Sequence, residues 1–174
     1  MNKIKFMLPG LWEHFELNKN FFEYFKKCPE KFYDNIDIGC FYGNFQYCVW
    51  DGGRVFREYK WASFEKVLNI KNYLKENKIP LRLIFTNSML ENRDLYNHYC
   101  NLICNLCEDE NNEIVINSST LEKYLKEKYP KYSFISSTTK CNSLKASFDE
   151  LNKYKYVCLD YNHNHKIKDL ELLD

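Results

Sequence analysis

Four short apolar runs, residues 81–85, 114–116, 132–135 and 156–159, each follow a stretch with helical spacing and each end in small polar residues. The stops read Thr86-Asn87-Ser88, Asn117-Ser118-Ser119, Ser136-Ser137-Thr138-Thr139 and Asp160-Tyr161-Asn162. Strands separated by helices imply parallel pairing, because a parallel partner is reached by a crossover rather than a tight turn. The helices between them are legible from caps and faces. Ser63 caps one that carries Phe64, Val67, Leu68 and Leu74 on one side and ends before Pro80. A second, from Asp94 to Cys107, aligns Tyr96, Cys100, Ile103 and Cys107. Ser119-Thr120-Leu121-Glu122 has the form of a capping box for a third, which buries Leu121, Tyr124 and Leu125 and stops at Pro130. A fourth is predicted around residues 143–154 with Leu144, Phe148 and Leu151 aligned, and residues 166–173 begin another.

The first 60 residues lack this regularity. An aromatic, irregular start leads to a helix from about Asn20, with Phe21, Phe22, Phe25 and Cys28 on its face and Pro29 as its stop. Apolar alternation predicts a strand over residues 36–41. Residues 45–50 and 54–56 flank Asp51-Gly52-Gly53, a strong hairpin signal. The expected architecture is α/β: a partial (β/α) barrel-like or open parallel sheet of about five strands, with an amino-terminal β-hairpin and helix. No linker divides it, so residues 1–174 are expected to form one domain, with the aromatic segment and hairpin over 1–60 and regular βα units over 61–174.

Composition narrows the function classes. With 45% apolar and 17% aromatic residues, the chain is not of the disordered class. Lys plus Arg number 25 against 24 Asp plus Glu, so net charge gives no reason to expect nucleic acid or an anionic membrane surface. No stretch approaches a membrane span, and the apolar part of the start is too short for a signal peptide. The eight cysteines are therefore expected as thiols in a reducing cytoplasm.

In parallel sheets ligands meet the carboxyl ends of the strands, which makes the polar stops the candidate site. Asn87, Asn117, Ser137, Thr138 and Asn162 would supply a hydrogen-bonding rim, and Asp160 is the candidate for general acid or base work. Other constellations have plainer readings. Cys100, Cys104 and Cys107 have the spacing of the radical-SAM iron–sulfur motif, yet i, i+4 and i+7 trace one helical face, and buried thiols on a core stripe are preferred. His163 and His165, with Asp160, have metal-pair spacing, but a polar loop explains them as well. The hydroxyls at 136–139 lack an assured activating base. No glycine-rich phosphate loop exists, and the aromatic–basic tract 54–61 is read as a hairpin edge with solvated cations. Neither metal nor cofactor is expected.

Residues 8–18, 32–46, 82–88 and 135–139 resemble a bacterial family of TIM-barrel-like proteins distantly similar to the collagenase-like peptidases of unknown catalytic type. The resemblance runs over essentially the whole chain. It implies a TIM-barrel-like fold that continues well beyond residue 174. The peptidase signature, an acidic residue followed by His-Gly and a Cys, has no counterpart here, and none of its catalytic residues is carried over.

The expected function is a non-catalytic binding or regulatory protein, such as an inhibitor or interaction module. Its partner would be another protein or a second copy meeting an exposed sheet edge, with Trp50, Tyr59 and Trp61 as surface anchors. The alternative is a peptidase-like or other hydrolase acting at the carboxyl-end rim.

Overall fold

Chain order and sheet order coincide. In the computed structural model, which describes residues 4–52, 61–140, 153, 154, 156–163, 166 and 168, the strands β1 (Ile4–Pro9), β2 (Ile36–Gly43), β3 (Leu81–Phe85), β4 (Glu113–Ile116), β5 (Ser133–Ser136) and β6 (Tyr156–Val157) form one parallel sheet in that order. Helices α1 (Phe15–Lys27), α2 (Phe64–Glu76), α3 (His98–Cys107) and α4 (Ser119–Lys128) make the first four crossovers. When each crossover returns the chain to the next position with the same hand, the helices collect on one side and the sheet curls away from them. The result is an open, curled half-barrel. No helix among the described residues is long and apolar enough to cross a membrane.

Strand alternation divides the two faces. Leu81, Leu83 and Phe85 of β3, with Ile114 and Ile116 of β4 and Phe134 of β5, join Val67, Ile70, Leu74, Ile103 and Leu125 from the helices in the main core. Each such Leu or Ile contributes roughly 1.5–3 kcal/mol by leaving water. The intervening residues Ile84, Val115 and Ile135 form a smaller cluster on the concave face, flanked by Tyr42 and Cys158. Strand β2 keeps this division despite an extra residue. Phe6 pairs with Ile38 but Met7 with Cys40, so Gly39 is left over as a bulge. Ile38 and Phe41 therefore both face the helices, while Tyr42 belongs to the concave cluster. A side chain at Gly39 would run into Met7 Sδ, 2.8 Å from the position of its Cβ.

Several expectations change. The start is not irregular: it forms β1, which raises the strand count from five to six. Helix α1 begins at Phe15 rather than Asn20, and Asn18, inside it, donates from Nδ2 to Pro9 O at 2.7 Å. The helix predicted from Asp94 divides into a 3-10 turn, Asn92–Tyr96, and α3, whose first turn is capped by Asn97 Oδ1 accepting from Cys100 N at 3.0 Å. Ser63 caps α2 as expected, but α4 is capped by Ser118, not Ser119. Glu122, freed from the expected capping box, is buried instead and bonds Lys126, Lys140 and Tyr154.

The hairpin's first arm is not a strand. Asn44, just past β2, donates from Nδ2 to Ile84 O and accepts from Ile84 N at 3.2 Å through Oδ1. Its amide thus occupies the place on β3 that the next residue of a longer β2 would take, and the chain leaves the sheet at Gly43, whose φ of 151° suits glycine. Residues 44–52 turn back over the sheet end, and a turn within that loop runs over Cys48–Asp51, ahead of the predicted Asp51-Gly52-Gly53, with Asp51 N donating to Cys48 O at 3.0 Å. The second arm, 54–56, lies outside the described residues, as do residues 143–152 and most of 166–173.

Candidate functional site

The concave face forms an open groove of about 580 Å³. Its floor toward the amino-terminal ends of the strands is charged. Arg82 on β3 and Glu113 on β4 are register partners, and the guanidinium donates to Glu113 Oε2 from Nη2 at 2.7 Å and from Nε at 2.9 Å. Both are buried, and the Arg82 guanidinium lies 6.0 Å from the centre of the Tyr156 ring. Cys40 touches Met7, sulfur to sulfur at 3.4 Å. Burial pushes the Cys40 thiol up to about 12 despite the opposing charge of Arg82, so it stays protonated and is no nucleophile. Above the floor the groove is apolar, with Met7, Tyr42, Ile84, Val115 and Cys158 lining it. At the top come Thr86, Ser88, Ser137, Thr138 and Thr139, with Gly52 against Thr86.

The structure sorts the sequence-derived rim into two groups. Ser137 and Thr138 line the groove. The remaining rim residues lie outside its lining and are held in local bonds. Asn117 Oδ1 accepts from Thr139 Oγ1 at 2.8 Å, and Thr139 in turn lies 3.0 Å from Ser137 Oγ. Asn87 donates from Nδ2 to Val49 O at 2.8 Å and accepts from Met89 N at 2.9 Å. Asp160 Oδ1 accepts from Asn162 N at 2.8 Å and from Asn162 Nδ2 at 2.7 Å, the local turn that Asp and Asn favour. These bonds position turns.

Among the expected surface anchors, Trp50 must be corrected. It is wholly buried, donates from Nε1 to Asp94 O at 2.7 Å and packs edge-on against Phe85. The departure of the chain at Asn44 folds this ring inward as a core residue of the loop. Trp61 is exposed, stacked on Tyr47 at 4.3 Å. Tyr59 lies outside the described residues, as does His165 of the His-x-His pair. Cys100, Cys104 and Cys107 sit on the buried stripe of α3. Burial raises the Cys104 thiol well above its ordinary value and Cys107 to about 12, which disfavours the thiolates a cluster needs. No group of three His, Cys, Asp or Glu side chains among the described residues is placed to hold a metal ion.

Sequence reading missed the ion pair on the groove floor. A signal existed: in the run 81–85, Arg82 alternates with Leu81, Leu83 and Phe85 and so faces opposite to them. Only the register reveals that Glu113 meets it. Fold and site together define a parallel βα half-barrel with an open, amphipathic groove on its inner face. No protein-family model, curated protein or solved structure matches this chain.

Proposed function

We propose that this chain is a non-catalytic binding protein that receives a protein partner at strand β1 and the adjoining mouth of the groove. The observation that carries this reading is the exposure of three apolar side chains within four residues of β1: Ile4 55%, Phe6 53% and Met7 37%. Ile4 and Phe6 lie on the face shared with Leu8, and Met7 turns into the groove, so both faces of one strand offer apolar contact. Strand β1 pairs on one side with β2, and a partner segment lying along its other side gains backbone bonds while covering these side chains. The engaged state of Asp160 and of the rim amides favours binding over hydrolysis. The proposal includes a cytoplasmic setting, where the glutathione pool keeps structural disulfides rare and leaves transient, redox-sensing ones.

Site-directed photocrosslinking tests it. A benzophenone side chain placed at position 6 in cells is expected to trap a discrete partner protein, and the same group at Tyr33, 83% exposed on another part of the surface, is expected not to. Equal capture at both positions overturns the proposal. So does peptide or ester hydrolysis by the purified chain that Asp160→Asn abolishes.

A further inference from the structure

We propose that Cys48 and Cys100 are a reversible redox pair, whose oxidation to an intrachain disulfide clamps the 44–52 loop onto α3 at the side of the groove. The two Sγ atoms lie 3.2 Å apart although the residues are 52 positions apart in the chain. A disulfide sets its sulfurs about 2.05 Å apart, so closure asks for a movement of about 1.2 Å. Both ends are anchored. Cys100 N is held by the Asn97 cap in the first turn of α3, and Cys48 O accepts from Asp51 N across the loop's turn. Next to Cys48, Tyr47 has a φ of 62°, a backbone conformation that a tyrosine holds at a cost. The loop therefore carries local strain beside a thiol that is in reach of another.

The pair differs from the other buried thiols. Cys104 and Cys107 lie buried on the same helix stripe, and burial raises both thiols. The hydrogen bond from Cys48 draws the Cys100 thiol below its ordinary value, whereas burial raises Cys48. Cys100 is also the third residue of α3, at the positive end of the helix dipole, and that position favours the thiolate there. With glutathione disulfide as oxidant, the Cys100 thiolate attacks one sulfur, that S–S bond breaks, and one glutathione thiolate leaves. Cys48 gives its proton to the departing thiolate and attacks Cys100 Sγ, forming the intrachain bond and expelling the second glutathione, which takes up the proton first released by Cys100. Two protein thiols are oxidised and one glutathione disulfide is reduced to two thiols. Cys100 is fully buried and Cys48 nearly so, so the oxidant enters when the loop lifts.

The clamp bears on the groove because this loop forms part of its wall. Asn87 N donates to Trp50 O at 3.2 Å, and Gly52 rests against Thr86, both lining the groove. Joining Cys48 to Cys100 fixes the loop that presents Gly52.

The full-length chain, equilibrated in glutathione buffers from reducing to oxidising, alkylated and mapped by mass spectrometry, is expected to yield one joined peptide pair, Cys48 with Cys100, released by dithiothreitol. The oxidised chain is expected to melt roughly 10 °C higher than the reduced one. Amide exchange over residues 45–52 should slow at the same time. Cys28→Ser should keep the crosslink and Cys48→Ser should lose it. The proposal is overturned if Cys48 and Cys100 are alkylated at the oxidising end, or if either pairs with another cysteine. Should Cys48→Ser fail to fold, the peptide map of the unaltered chain decides alone.

Discussion

Replacing Glu113 by Ala leaves the Arg82 guanidinium charged on the groove floor with the carboxylate oxygen that held it removed. Glu113 is 2% exposed and Arg82 9%, so water replaces little of what is lost. Breaking one side of such a buried pair costs about 3–5 kcal/mol, most of it the uncompensated charge left behind. That is about a fifth or more of the ~5–15 kcal/mol by which a domain is stable, and it lowers the melting temperature by roughly 6–20 °C. Glu113→Gln keeps the shape and one acceptor and should cost about 1.5–3 kcal/mol. The double substitution Arg82→Met with Glu113→Leu removes both charges and is expected within about 1 kcal/mol of the unaltered chain, or above it. Urea unfolding followed by far-UV circular dichroism measures all of these, with the slope checked for constancy so that midpoints convert to free energies. A loss below about 1 kcal/mol for Glu113→Ala would refute the reasoning, because the pair would then behave as a solvated surface bridge and the groove floor would be wet.

Asn44→Ala leaves the buried N–H and C=O of Ile84 without partners and should cost about 2–4 kcal/mol in the same assay, whereas a typical surface substitution stays within ±0.5 kcal/mol. Gly52→Ala places a Cβ into Thr86 Oγ1, and the expected outcome is a lower melting temperature that Thr86→Ala partly restores. Burial pushes the Glu122 carboxyl up, but hydrogen bonds from Lys126, Tyr154 and Lys140 outweigh it and hold the pKa below its ordinary 4.5. The stability this supplies is present above about 4.5 and is lost as pH falls through the lowered folded value. Glu122→Gln should therefore flatten the acid limb of a stability-versus-pH curve, and an unchanged limb would count against the assignment. Ser118→Ala removes the α4 cap and should cost about 1 kcal/mol, whereas Ser119→Ala should cost far less.

The central units were legible because local and global signals agree there. Residues 81–85 are buried at every position, so an unbroken apolar run survives into a strand that neighbours cover on both sides. Strand β1 was missed for the opposite reason. It is exposed along most of its length, and Lys3-Ile4-Lys5-Phe6-Met7-Leu8 has no contrast between a wet and a dry face from which a period could be read. The turn falls over Cys48–Asp51, ahead of the Asp51-Gly52-Gly53 of the hairpin signal, and the amide of Asn44, bonded to Ile84 on the neighbouring strand, takes the approach out of the sheet. Site residues divide the same way. Ser137 and Thr138 follow from the position of a strand end, whereas Arg82 with Glu113, and Cys48 with Cys100, join residues 31 and 52 positions apart and exist only once the register is set.

Asn44 has a consequence for the wall of the groove. Strands β2 and β3 pair only from Phe41 to Gly43 against Leu81 to Leu83. Above that point a side-chain amide closes the seam with Ile84, and loop residues up to Gly52 stand in for strand as far as Thr86. The wall is therefore masonry below and shutter above. Its upper panel can be reshaped by substitutions in a short loop while every ladder bond of the sheet stays intact, so the groove mouth and the frame that carries it are separable.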